Sequence, residues 1–148
     1  MIEQNIFVKD RNFHGVKGLV FVGDKIIVYR RDNKTKSYPF YIDLPGGAKE
    51  NKESAFETFR REVKEEFGIN VKKEDITYSK QYISPMDSSK ESYFIVIKTK
   101  NIKEGDIVFG NEGLEYFLLT LKEYLKLEDA IPRQKNKVIE YLSKLKND

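Results

Sequence analysis

Short apolar runs and one long helical stripe divide this chain, and polar stretches separate them. Val16 to Val22 and Lys25 to Arg31 are runs rich in Val and Ile, and Gly23-Asp24 between them is turn chemistry that predicts a β-hairpin. Asn33 to Tyr38 is polar and predicts a loop, with a short strand from Phe40 to Leu44 after it. Ile76 to Ile83 and Tyr93 to Thr99 carry Ile, Val and aromatic residues and read as strands, with a loop from Ser84 to Ser92 between them. Leu114 to Leu119 reads as a further strand and Leu121 to Leu127 as a helix. Pro132 suits the first position of a last helix, in which Val138, Tyr141, Leu142 and Leu145 form an apolar stripe. No repeat or low-complexity tract interrupts this order. It predicts an α/β chain with a mixed sheet flanked by helices.

The segment Ser54 to Phe67 is the clearest helix. Ser54 and Glu57 have the S-x-x-E spacing of a capping box, which satisfies backbone donors at a helix start. Phe56, Phe59, Val63 and Phe67 follow at spacings of three and four, giving one narrow apolar face. Gly68 stands where a left-handed C-terminal cap belongs, a conformation that costs glycine least. At 3.6 residues per turn, Glu62, Glu65 and Glu66 share an arc of roughly 100° on another face. Acids on a solvated helix are routine, but three so close repel one another unless a cation binds among them. Hard divalent ions take oxygen ligands and are commonly shared between carboxylates and phosphates.

The helix belongs to a longer pattern. The residues Leu44-Pro45-Gly46 introduce Gly47, Glu53, Arg61, Glu62, Val63, Glu65, Glu66, Gly68 and Ile69, which together read G-x5-E-x7-R-E-V-x-E-E-x-G-I. Seven of these positions each demand one residue type, so a chance match at a given start is on the order of 10⁻⁸. The pattern resembles the complete signature of the Nudix hydrolases, with every defining position filled.

That resemblance implies a fold, an activity and roles. The fold would be the Nudix-type α/β/α sandwich with a mixed β-sheet, here one domain over residues 1–148. The activity would be attack of water on the pyrophosphate linkage of a nucleoside diphosphate joined to another moiety X. Glu65 and Glu66 would be the principal ligands of Mg²⁺ or Mn²⁺, with Glu62 a further ligand or the base. Glu53 would orient the attacking water or the neighbouring carboxylate, and Arg61 would hold Glu53 or Glu62. Gly46 and Gly47 would let the backbone approach the ligand. The ion would neutralise phosphate oxygens, activate water and orient the displacement.

Three further places bear on X. Pro85 lies sixteen residues after Ile69. A proline near that offset marks the Nudix enzymes that cleave ADP-ribose and related nucleotide sugars, so the expectation leans to a nucleotide sugar. A plain turn proline is the alternative. In Gly110-Asn111-Glu112-Gly113-Leu114-Glu115, Glu112 or Glu115 would supply the extra acid that several Nudix families take from a later loop; solvated loop acids are the alternative. Tyr29, Arg30, Arg31, Tyr38, Phe40 and Tyr41 cluster before the Gly-Gly turn. Arg30 and Tyr41 are candidate substrate contacts, since arginine grips phosphate and aromatic rings stack on bases. His14, the single histidine, reads as a loop residue near the first strand rather than a catalyst.

Composition narrows the remaining classes. The 148 residues suit one core. With 39% hydrophobic and 34% charged residues, the chain reads as soluble. No run approaches the roughly 20 apolar residues that cross a bilayer, and Met1-Ile2-Glu3-Gln4 does not begin a signal peptide, so cytoplasm is the expected location. The absence of cysteine excludes disulfides and thiol catalysis. A net charge of +3, from 27 basic and 24 acidic residues interleaved, argues against nucleic acid as partner and for a small nucleotide; pairing into a homodimer is left open. Rival readings are a pyrophosphatase of nucleoside triphosphates, including oxidised ones, and more weakly an enzyme of RNA 5′ ends. A non-catalytic nucleotide-sensing module is disfavoured because all the signature acids are present.

Overall fold

The computed structural model describes residues 2–83 and 91–147. Its strands are β1 (Phe13–Val22), β2 (Lys25–Arg31), β3 (Ile42–Asp43), β4 (Gly46–Ala48), β5 (Ile76–Ile83), β6 (Glu91–Ile97) and β7 (Gly113–Thr120). Its helices are α1 (Ala55–Phe67), α2 (Leu121–Leu125) and α3 (Pro132–Asn147). The strands form one sheet in the order β3-β2-β1-β6-β5, with β4 along β1 and β7 along β2. β1 runs parallel to β6, and the other strand pairings are antiparallel. This is the expected mixed sheet.

Side chains alternate across a strand, and here each set meets its own layer. On one face, Val16, Val20, Ile27, Tyr93, Ile95 and Ile97 pack against Phe59, Val63 and Phe67 of α1. On the other, Leu19, Phe21, Ile26, Val28 and Phe94 meet Tyr124 of α2 and Val138 and Tyr141 of α3. The result is an α/β/α sandwich. Phe59, Val63 and Phe67 are fully buried, each worth roughly 1.5–3 kcal/mol of hydrophobic stabilisation. The α1 ends follow their chemistry. The Ser54 hydroxyl accepts from Glu57 N–H, Glu57 accepts from Ser54 N–H, and Gly68 takes φ 70° at the C-cap.

Several boundaries differ from the sequence reading. The strand expected over Phe40 to Leu44 is reduced to Ile42–Asp43, because Tyr38 and Phe40 take positive φ (50° and 65°) and break the extended run. β1 starts three residues early, at Phe13, where it pairs with Glu91, and β6 accordingly opens at Glu91 and ends at Ile97. Glu91 and Ser92, expected in a loop, are therefore strand residues. β4 was not anticipated: Gly46, Gly47 and Ala48 pair with Lys17, Val16 and Gly15. α2 stops at Leu125. Residues 84–90, including Pro85, lie outside the described residues, so the marker proposed for X has no placement.

Candidate active site

β4 and α1 build the centre of the site. Gly46 sits at φ 129°, and a side chain there would drive its Cβ to 2.0 Å from the Val16 carbonyl oxygen. Only glycine lets the turn lie this close to β1. At Gly47 a Cβ would fall 2.5 Å from the carboxyl carbon of Glu62, so its absence makes room for that carboxylate. The Gly46 N–H donates to Glu66 Oε1 at 3.0 Å, tying the turn to the helix.

Arg61 organises the acids beside it. Its Nε and Nη2 donate to the two oxygens of Glu53 at 2.7 and 3.1 Å, and Nη1 donates to Glu62 Oε1 at 2.9 Å and Glu65 Oε1 at 3.2 Å. Nη2 also reaches the Ala48 carbonyl at 3.0 Å. Glu53 further accepts from Glu50 N–H and the Thr58 hydroxyl. Burial alone would raise the Glu53 carboxyl, but Arg61 and these donors outweigh it and hold it below the usual range. Arg61 is held above its ordinary value, Glu53 contributing most.

Glu62, Glu66 and Glu112 converge. One carboxylate oxygen from each lies within 4.8 Å of the others. Burial pushes Glu66 up to about 8, against the opposing influence of Lys17 and the Gly46 N–H. Burial also raises Glu62, opposed by Arg61 and helped by Glu65 and Glu112. Crowded oxygen donors that resist ionisation fit a hard divalent cation, whose charge would remove both the desolvation and the repulsion. Glu112 arrives because the preceding loop binds the end of α1. Val108 N–H donates to the Phe67 carbonyl at 2.9 Å and Gly110 N–H to the Glu66 carbonyl at 2.8 Å. Glu115, the alternative, pairs across the sheet with Arg30 instead.

These three acids line a cavity of about 550 Å³, together with Lys17, Tyr29, Arg31, Gly46 and Gly47 and, from α3, Arg133, Gln134 and Lys137. That volume is in the range of small-ligand sites. Glu53, Arg61 and Glu65 stand outside its lining, Glu65 half-exposed against Arg61. Arg30 and Tyr41 do not line it either. Arg30 binds Asp129 at 2.9 Å and the Phe40 carbonyl, while Tyr41 packs on Tyr38. Along β2 the strand alternation turns the neighbours of Arg30, Tyr29 and Arg31, inward instead. His14 is the second residue of β1, not a loop residue, and its exposed side chain lies at the cavity rim.

Sequence reasoning missed Lys17 and Asp43. The Lys17 ammonium donates to Asp43 Oδ2 at 3.0 Å and to the carbonyls of Leu44 and Gly46 at 3.1 and 3.2 Å. Burial disfavours its charge, yet Asp43, Tyr29 and Glu66 outweigh this and hold it above the usual lysine value. Lys17 thus fixes the turn that carries Gly46. A lysine inside the apolar run of β1 and an aspartate between Ile42 and Leu44 were the available signals. Arg133, Gln134 and Lys137 gave none, since such residues are ordinary on a helix surface.

A family model for the NUDIX domain matches residues 13–142. None of the curated proteins matches the sequence. Solved structures with the same fold include the MutT protein from Methanosarcina mazei Go1, at TM-score 0.72 and 23% identity over 93% of this chain and 98% of that one. A bifunctional NMN adenylyltransferase/ADP ribose pyrophosphatase from Francisella tularensis matches at TM-score 0.70 and 22% identity, over 90% of this chain but 41% of that longer one. An Ap4A hydrolase from C. elegans matches at TM-score 0.68 and 16% identity, over 90% of this chain and 99% of that one.

Proposed function

The chain belongs to the Nudix hydrolase family, and from that membership we propose that it hydrolyses the pyrophosphate linkage of a nucleoside diphosphate joined to another moiety, using Mg²⁺ or Mn²⁺. The observation that carries this reading is the convergence of Glu62, Glu66 and Glu112 on one wall of the cavity. These residues would hold the ion, with Glu65 adjoining through Arg61. A bound ion supplies charge neutralisation at phosphate oxygens and makes water easier to deprotonate.

The protein's own residues do the rest. Water attacks one phosphorus atom, the bridging P–O bond breaks, and the second phosphate leaves with the bridging oxygen. The proton lost by water passes to the carboxylate cluster, whose members titrate as a group. Arg61 holds one oxygen of Glu62 while Glu53 holds Arg61, so Glu62 keeps a single orientation. Lys17 and the Gly46 N–H keep the turn and Glu66 in register.

The identity of X divides two readings. The nucleotide-sugar reading, with ADP-ribose as its example, rests on the position of Pro85 in the sequence. The nucleoside triphosphate reading is favoured by the cations on the α3 wall. Product analysis with Mg²⁺ over ADP-ribose, other nucleotide sugars, dNTPs and oxidised dGTP separates them, with Glu66→Gln as the blank. AMP with ribose 5-phosphate identifies the first; a nucleoside monophosphate with pyrophosphate identifies the second. Tight nucleotide binding without turnover in saturating Mg²⁺ would overturn the enzyme assignment for this chain.

A further inference from the structure

The cavity is bipolar. Its acidic end repels phosphate unless a cation intervenes, but its α3 wall is positive. Arg133 and Lys137 stand one helical turn apart and line the same cavity as the acids. Among the described residues, neither makes a salt bridge. The other half-buried cations of the cavity do: Lys17 and Arg31 both face Asp43, at 3.0 and 3.9 Å. Arg133 and Lys137 rest instead on aromatic faces, the guanidinium 5.8 Å from the Tyr38 ring and the ammonium 5.1 Å from the Tyr82 ring. Such faces attract a cation without neutralising it. Burial, and then repulsion from Arg133, press Lys137 down to about 8. Asp43 offsets this only in part, and two like charges half out of water with no ion-pair partner in contact are a costly arrangement that an anion relieves.

A second observation comes from the residue between them. Gln134 is 2% exposed, lines the cavity, and its Oε1 has no hydrogen-bond partner among the described residues. A buried amide oxygen left unpaired costs about 1–3 kcal/mol, and few are found in folded proteins. It calls for a donor from a ligand, such as a sugar hydroxyl. Arg133 and Gln134 also belong to the first turn of a 16-residue helix, whose N-terminal end favours negative charge.

Resting on the reading of this cavity as the substrate site, we infer that Arg133, Gln134 and Lys137 form a second anion subsite. It receives a phosphate beyond the two that flank the cleaved bond, with a neighbouring hydroxyl on Gln134. The substrate class is therefore a nucleotide with three or more phosphates, or one whose X is itself phosphorylated, in preference to one ending in a neutral sugar.

The test has one arm that needs no catalysis. Inorganic tripolyphosphate is titrated calorimetrically into the protein in EDTA, where the acidic end cannot hold it. Wild type binds, and Arg133→Gln/Lys137→Gln, checked for an unchanged melting temperature, binds at least about tenfold more weakly, as expected for losing hydrogen bonds to charged groups. Equal affinity in the double variant overturns the subsite. In the second arm, kcat/KM is compared for a nucleoside triphosphate, a dinucleoside tetraphosphate and ADP-ribose. A preference for the phosphate-rich substrates that collapses in the double variant supports the subsite; a preference for ADP-ribose, or one the variant leaves untouched, overturns it. Loss of tripolyphosphate binding in a protein that hydrolyses none of them would support the subsite while removing the hydrolase reading.

Discussion

Glu66 is 5% exposed, accepts a backbone N–H from Gly46 and lies among two other carboxylates, whereas the Glu65 side chain is 48% exposed and held by Arg61. Neighbours in sequence, the two acids meet different surroundings, and different consequences follow on mutation. Glu66→Gln is expected to lower Mg²⁺-dependent kcat by at least roughly 100-fold, because several kcal/mol of charge stabilisation depend on the ion it helps to hold. Glu112→Gln should lower kcat far more than it raises KM. Glu65→Gln should cost less than either. Steady-state kinetics on the three folded variants checks the ranking, and a Glu65 effect exceeding that of Glu66 would reverse the ligand assignment. At this scale the signature acids were legible from their spacing. Glu112 was legible only as one of two loop acids, because spacing does not say which of Glu112 and Glu115 turns toward the helix.

Helix α1 shows how much an element owes to local chemistry. Its capping box, apolar stripe and αL glycine are all sequence-local, and each forms as expected. Ser54→Ala should remove the cap and cost about 1 kcal/mol. For a chain of this size that lowers the melting temperature by roughly 2–4 °C, readable by thermal unfolding, with kcat changed little. A drop beyond about 10 °C would mean that Ser54, 3% exposed, supports more than the cap. β3 and β4 were less legible. Positive φ at Tyr38 and Phe40 and pairing of the Gly-Gly turn with β1 depend on partners distant in sequence. The facing of β2 was also undecided by composition: Tyr29 and Arg31 face the cavity while Arg30 meets Asp129. A one-residue change of register exchanges those roles.

For the whole molecule, the site's electrostatics should appear as pH-dependent stability. Glu66 rises from an ordinary 4.5 to about 8 in the folded chain. Below about 4.5 both states hold its proton; as pH climbs from there to about 8 the unfolded chain releases it first, so this contribution to stability is progressively lost and then levels off. Without metal, melting temperature should therefore fall across that window, and less so in Glu66→Gln. Mg²⁺ at about 100 times its Kd should add about 2.7 kcal/mol, roughly 5–10 °C. The gain should be larger at pH 8 than at pH 6, where the ion competes with the proton. Thermal scans with EDTA or Mg²⁺ at both pH values decide it, and an equal Mg²⁺ gain at both would show that Glu66 is not a ligand. Among the described residues no helix is long and apolar enough to cross a membrane.

Local pattern alone determined the alternation of elements, the capped helix and the identity of the acids from Glu53 to Glu66, because helix periodicity, capping and the spacing of a contiguous signature act within a few residues. Only the tertiary structure decided that Glu112 joins Glu62 and Glu66, that Lys17 and Asp43 brace the glycine turn, and that Arg133, Gln134 and Lys137 close the cavity. Those residues come from β1, β3, the loop before β7, and α3. What brings them together is packing of two cores on opposite faces of one sheet, and that depends on contacts between segments more than a hundred residues apart.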